Sequence, residues 1–340
     1  MPVINMLSSA HKVKGQGVLS AYIEQVKLVE TGLADTYRVK KNRWLPGAIN
    51  HYHTIDFKFY LSLLSAKIFG ATTVAYVHFV PETIEESLKL PPVIKKLFYA
   101  YMIRFYKSVD RIVVVNPYFI DVLKKYGIDD RKVTYIPNFV SEERFYRYSG
   151  EQIAALKIKH AVPDKAFVVL GVGQVQTRKG ILDFIEVAKR LPHIRFIWAG
   201  GFSFGALTDG YKELKKIVEQ PPGNVTFTGI IGRDEMNDLY NISDMMFLPS
   251  FSELFPMSIL EALALRIPVL LRDLDLYPAI LFDCYLKGGT IEDYVRMIES
   301  LQDKGEVYET WSDNAWHCHE YYSEQRVLGL WKQFYDSMGS

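Results

Sequence analysis

Cysteine is almost missing from this chain. Cys284 and Cys318 are the only two in 340 residues. Neither belongs to a paired metal-site spacing, which excludes a disulfide-stapled scaffold and a zinc framework and points to a reducing setting. The tripeptide His317-Cys318-His319 looks like a metal cluster, but no further ligand pair follows at zinc spacing, so it reads as structural. Also missing is any apolar run near the ~18 residues of a membrane span. Contact with a bilayer is therefore expected from the surface only. The start, MPVINMLSSAHKVKGQG, reads as a strand and a polar loop, not as a secretory signal. The fingerprint G-x-G-x-x-G is absent, since Gln176 takes its last glycine position, and there is no Walker loop.

Net charge is in short supply too, at +1, but the balance is uneven. Residues 1–147 hold 21 Lys and Arg against 13 Asp and Glu, a net +8; residues 148–340 hold 19 against 26, a net −7. A basic half suggests an anionic partner for the first domain; a nucleic acid is not expected. The length calls for two domains, and 49% hydrophobic with 23% charged residues is a globular balance.

What is present is a repeated alternation of strand and helix. Strands are expected at Val3–Leu7, His51–Ile55, Thr72–His78, Arg111–Val115 and Val133–Ile136, with helices between them at Val18–Thr31, Phe57–Phe69, Val93–Ser108 and Tyr118–Tyr126. The cycle then restarts. Strands at Phe167–Val172, Arg195–Ala199, Val225–Thr228, Met245–Pro249 and Pro268–Leu271 enclose helices near Ile181–Leu191, Tyr211–Gln220 and Arg233–Asn241. Such alternation means α/β domains with parallel sheets covered on both faces. Two series mean two doubly wound domains, residues 1–147 and 148–320, followed by a C-terminal helix in residues 321–340. Ligands of such sheets bind at the carboxyl ends of the strands.

The most informative segment is FSELFPMSILEALA, residues 251–264, in which Glu253 and Glu261 lie eight positions apart. A buried strand precedes it, and apolar Ile259, Leu260, Leu263 and Ala264 recur at helical spacing after Pro256, a residue favoured in a first helical turn. Glu253 therefore sits in the loop, Glu261 more than a turn inside the helix, and the helix N-terminus between them attracts anions. Two acceptors around an anion site suit a polyhydroxylated, phosphate-bearing ligand such as a nucleotide sugar. A glutamate near a first turn is also common without any ligand. Upstream, Gly171-Val172-Gly173-Gln174 ends a strand and Thr177-Arg178-Lys179-Gly180 opens a helix, a loop suited to a diphosphate. Two solvated charges in a turn are the bland alternative. Gly15-Gln16-Gly17 follows the first strand, where glycine lets the backbone approach a ligand. His78, at a strand's end, is placed to hydrogen-bond a sugar hydroxyl, and His53 is expected to be structural. Val93–Ser108 carries Ile94, Leu97, Phe98, Tyr101, Met102 and Phe105 on one face and Lys96, Arg104 and Lys107 on the other. That pattern fits a core helix or one lying on an anionic membrane.

Together, GQG after the first strand, His78, Asn138, GVGQVQTRKG and SELFPMSILEALA resemble the retaining GT-B glycosyltransferases of the large fourth family, over nearly the whole chain. Within it the opening NMLSSAHKVKGQGVLSAYIEQVK and RDLDLY are most similar to bacterial enzymes that glycosylate diacylglycerol lipids. The resemblance implies GT-B architecture, with two Rossmann-like domains facing a central cleft. It implies that Glu261 binds the ribose of a UDP-hexose donor and that Glu253 and His78 contact its sugar. Arg178 or Lys179 would hold the diphosphate together with Gly173 and Gln174. Phe255, Pro256, Met257 and Ser258 would lend backbone contacts, and Gly15, Gln16 and Gly17 would face diphosphate and acceptor. Many members have Arg where this chain has Gln174, so one diphosphate cation that the resemblance implies is missing, with Arg178 as the candidate to replace it. No metal is expected. The implied reaction moves galactose or glucose, with retention, onto a membrane glycolipid, with α-glucosyldiacylglycerol as the expected lipid acceptor. Diacylglycerol itself, a soluble or polysaccharide acceptor, and nucleotide-sugar 2-epimerase chemistry are the alternatives. The enzyme is expected in the cytoplasm, held at the inner face of the membrane by Val93–Ser108.

Overall fold

A computed structural model describes residues 1–12, 17–82, 91–203, 205 and 208–338. They form two compact units. One holds the described chain up to Phe139 together with the segment from Tyr322 onward, and the other holds Val140–Tyr321. The sequence placed the boundary eight residues later, after residue 147. The difference has a local cause: Tyr148 N–H donates to Asn241 Oδ1 at 2.8 Å, the Asn241 side-chain amide donates to Tyr146 O at 3.0 Å, and Phe145 packs edge-on against Tyr240 at 5.9 Å. Residues 145–148 are thereby tied to the helix Arg233–Ile242.

The first unit contains a parallel sheet of β1 (Val3–Leu7), β2 (Arg38–Lys41), β3 (Ile49–Tyr52), β4 (Thr72–Val77), β5 (Arg111–Val114) and β6 (Val133–Tyr135), in the order β2-β1-β3-β4-β5-β6. β3 begins two residues before the expected start, because Ile49 pairs with Ile4 of β1 and Thr72 of β4. The helix Gly17–Gly32 covers one edge of this sheet and packs against the C-terminal helix Glu324–Asp336. Tyr335 on that last helix reaches His51 Nδ1 at 2.8 Å, and Tyr37 donates to Asp336 at 2.8 Å, so the chain's end belongs to the first unit's core.

The second unit contains β7 (Val168–Val172), β8 (Arg195–Ala199), β9 (Val225–Gly229), β10 (Met245–Leu248), β11 (Val269–Arg272) and β12 (Leu286–Gly288), also parallel, in the order β12-β11-β10-β7-β8-β9. Strands buried on both faces read as near-continuous apolar runs, as in Met245–Leu248. The core is aromatic, with Phe184 meeting Trp198 at 5.0 Å and Phe247 at 5.8 Å.

Strand order decides where a ligand can sit. In the second sheet the chain leaves β7 toward β8 and β9, then returns to β10 on β7's other side. The carboxyl ends of β7 and β10 therefore flank a switch point, the usual crevice in open α/β sheets.

Candidate active site

The loop after β7 and the loop after β10 are far apart in sequence and adjacent in space. Gly180 closes the first with φ +72, and a Cβ there would lie 2.2 Å from the Pro249 carbonyl oxygen, so only glycine lets the two loops touch. Arg178 O accepts from Phe251 N–H at 2.7 Å, joining the same two loops.

That contact brings Lys179 onto Glu253: Nζ donates to Oε1 in a buried ion pair between residues 74 positions apart. Arg178 Nη1 donates to Ser252 O at 2.8 Å and stands 3.8 Å from Glu253 Oε2. Its Nε is buried with no protein partner. Burial pushes the Glu253 carboxyl up, but Lys179 and Arg178 outweigh it and hold it below the usual carboxylate range. Burial pulls the Lys179 ammonium down; Glu253 opposes this and Arg178 adds to it. One carboxylate thus faces two cations, leaving an excess positive charge at the crevice, as a diphosphate site requires.

Gly173 and Gln174 begin the same loop. Gly173 takes φ +152, with the Lys179 side chain 3.3 Å from where a Cβ would lie. Gln174 Oε1 accepts from Gln176 Nε2 at 2.8 Å, side chain to side chain. Gln174 therefore belongs to the loop but brings no charge, and Arg178 is the second cation beside Lys179.

After Glu253 the chain turns through Phe255 and Pro256 into the helix Met257–Ala264, with Pro256 as its N-cap. Phe255, Met257 and Ser258 are buried, and the helix's positive end lies between the two glutamates. Glu261 is buried one turn in, and its carboxylate accepts from Tyr240 Oη at 2.8 Å; the same hydroxyl lies 3.1 Å from Ser258 O. Tyr240 went unpredicted, and nothing in its sequence neighbourhood marks it. Burial first, then Glu261, raise its hydroxyl far above the ordinary tyrosine value.

In the first unit, His78 follows β4. Its Nε2 is buried without a protein partner, and burial lowers its pKa to about 3. It belongs to a column of rings: His51 on His53 at 4.5 Å, His53 on His78 at 5.9 Å, and Tyr76 against His78 at 4.4 Å. No carbonyl satisfies His53, whose two ring nitrogens are both unpartnered. Gly17 opens the helix Gly17–Gly32, while Gly15 and Gln16 lie outside the described residues. His317-Cys318-His319 lies on the helix Glu306–Tyr321, where His319 pairs with Glu142 at 3.2 Å.

Along the helix Pro92–Ser108 the apolar face is covered at one end only. Met102, Phe105 and Tyr106 are core, whereas Ile94 and Leu97 of the same apolar face are exposed at 54% and 66%. Arg104 is not free for a headgroup alone, since its Nε donates to Tyr60 Oη at 2.9 Å.

Comparison with known proteins settles the family. The chain is 44% identical to the alpha-galactosylglucosyldiacylglycerol synthase of Streptococcus pneumoniae over 337 residues, 99% of this chain and 90% of that protein. It is a member of the GT-B glycosyltransferases of group 1. The group 1 description, "Glycosyl transferases group 1", matches residues 152–317, and "Glycosyltransferase Family 4" matches residues 38–144. A second relative of this glycosyltransferase, the processive diacylglycerol alpha-glucosyltransferase of Acholeplasma laidlawii, is 26% identical over 313 residues, 91% of each chain. Among solved structures, Anabaena HepE in complex with UDP-glucose superposes with a TM-score of 0.81 at 14% identity, covering 99% of this chain and 100% of that one. Sucrose-phosphate synthase from Thermosynechococcus elongatus superposes with a TM-score of 0.80, also at 14% identity, covering 99% of each. At that identity the superpositions speak for the fold.

Proposed function

We propose that this glycosyltransferase moves galactose or glucose from a UDP-sugar onto a membrane glycolipid, with α-glucosyldiacylglycerol as acceptor and a diglycosyldiacylglycerol as product. The likeness to the pneumococcal synthase over nearly the whole chain supports the acceptor class. The observation that carries the chemistry is the buried arrangement of Lys179 and Arg178 on Glu253 at the β7/β10 switch point.

Lys179, Arg178 and the N-terminus of Met257–Ala264 take the donor diphosphate. As the bond from the anomeric carbon to the diphosphate oxygen breaks, its electron pair goes to that oxygen, and these groups stabilise the charge. Arg178 Nε, with no protein partner, is the donor free for a phosphate oxygen. The acceptor hydroxyl oxygen bonds to the anomeric carbon from the leaving group's own face, and its proton passes to a phosphate oxygen, so configuration is retained. No metal step is needed in this scheme. Glu253, kept ionised by its two cations, accepts from sugar hydroxyls, and Glu261 accepts from the ribose. His78 meets a hexose hydroxyl as a neutral imidazole.

Among the described residues no helix is long and apolar enough to cross a membrane. The reading therefore has the enzyme meet its lipid at the inner face of the cell membrane, through Lys96 and Lys107 with Arg104 of the helix Pro92–Ser108. The test is incubation with UDP-glucose or UDP-galactose and glucosyldiacylglycerol, with lipids resolved by mass. A product one hexose heavier is expected; hydrolysis or epimerisation without transfer would overturn the proposal.

A further inference from the structure

The helix Phe57–Ile68 has two faces. Phe59, Leu63 and Ala66 are buried against the sheet. Phe57, Leu61, Leu64 and Ile68, at spacings of four, three and four residues, form the opposite stripe and are between 60% and 74% exposed; Phe69, next in the chain, is 67% exposed. Scattered exposed apolar residues need no explanation, but a continuous stripe of them does.

The stripe does not stand alone. Phe57 lies beside Tyr101 at 6.4 Å, Tyr60 beside Phe105 at 6.0 Å, and Tyr101 Oη donates to Ile55 O at 2.5 Å. The two helices thus lie side by side and run in the same direction. Val93, Ile94 and Leu97 of the second, exposed at 54–72%, extend past the start of the first.

Charge identifies what covers this face. The two helices carry six cations, Lys58, Lys67, Lys95, Lys96, Arg104 and Lys107, and no carboxylate. A partner protein or a second copy of the chain would meet the apolar stripe without requiring this one-sided charge. An anionic bilayer satisfies both parts: hydrocarbon for the stripe, headgroups for the cations.

We infer that Phe57–Ile68 is the segment that enters the bilayer interface, its Phe57-Leu61-Leu64-Ile68 stripe lying among the lipid chains, with the cations of both helices at headgroup level. This rests on the proposed lipid acceptor but assigns insertion to a helix different from the one read in the sequence as the membrane contact.

The experiment is flotation with vesicles of phosphatidylglycerol and phosphatidylcholine at low and at high salt. Three proteins are compared: wild type; the variant Phe57→Ser, Leu61→Ser, Leu64→Ser, Ile68→Ser; and the variant Lys96→Gln, Arg104→Gln, Lys107→Gln. All four serine positions are exposed, so folding is expected to survive; an unchanged far-ultraviolet circular dichroism spectrum and an unchanged acid-unfolding transition of the first unit check this. Screening weakens headgroup attraction and leaves apolar insertion. The serine variant should bind about tenfold or more weakly at both salts, and the glutamine variant should lose binding chiefly at low salt. Loss in the glutamine variant alone would keep the bilayer reading and overturn this inference. Loss in neither would overturn both. A wild type that sediments as a dimer without vesicles, and a serine variant that sediments as a monomer, would assign the stripe to a second copy and overturn the inference.

Discussion

Lowering pH should unfold the first unit through its histidine column. His51 and His78 are held neutral down to about pH 3, and His53 is pushed well below its ordinary value; burial is the main cause for each, and the imidazoles repel one another's charge. In the unfolded chain each returns to about 6.5. Between those values the unfolded state binds protons that the folded state refuses, so stability is whole above about pH 7.5 and declines as pH falls through about 6.5. From about pH 7.5 to about pH 5 the loss is about 2 kcal/mol for each of His51 and His78, about 4 kcal/mol for the two, and His53 adds to it in the same direction, a large part of a domain's usual 5–15 kcal/mol. The slope should flatten only near the folded values. Hydrogen exchange of peptides spanning β3 and β4, corrected for the intrinsic effect of pH, measures it. His53→Phe should make the slope shallower. A pH dependence of no more than one proton in the wild type, or an unchanged slope in His53→Phe, would refute the argument. A consequence for turnover follows: activity should show no ionisation of His78 near pH 6.5, and acid loss should track unfolding.

Other perturbations test the second unit. Glu261→Ala should weaken UDP-sugar binding by about 1.5–3 kcal/mol in calorimetry, the worth of a hydrogen bond to a charged group; unchanged affinity would remove Glu261 from the donor site. Lys179→Ala should lower kcat far more than it raises the donor KM, since leaving-group charge is greatest in the transition state. It should also destabilise the second unit by roughly 3–5 kcal/mol, because Glu253 is left buried without its closest cation; a pure KM effect would make Lys179 an anchor only. Gly180→Ala forces a left-handed backbone and a collision with Pro249 O, and should cost about 1–3 kcal/mol in denaturant titration with a loss of donor binding. Chelator should leave turnover intact; abolition would place a metal on the diphosphate.

Much of the architecture was legible in the sequence because parallel strands buried on both faces leave apolar runs, and turn glycines mark where those runs end. Two of the four edge strands, one in each sheet, were not. β2 is Arg-Val-Lys-Lys, three charges in four residues, and β12 is three residues long; each is held as a strand by one neighbour, β1 and β11 respectively. Neither leaves a periodic signal. In the candidate site, the loop–helix step at Pro256 placed Glu253 and Glu261 correctly relative to one another. The pairing of Glu253 with Lys179 depends on β10 returning beside β7, which spacing along the chain does not encode. For the helix Pro92–Ser108 the limit is related: periodicity locates an apolar face but not how far along its length the protein covers it. Here cover stops before Tyr101, which is only half-buried.

The most direct measurement is the anomeric configuration and identity of the lipid product formed from UDP-glucose or UDP-galactose with glucosyldiacylglycerol in anionic vesicles. The account predicts an α-linked diglycosyldiacylglycerol from one of the two donors, lost in Lys179→Ala. A β-linked product, or transfer to a soluble sugar in preference to the lipid, would contradict it.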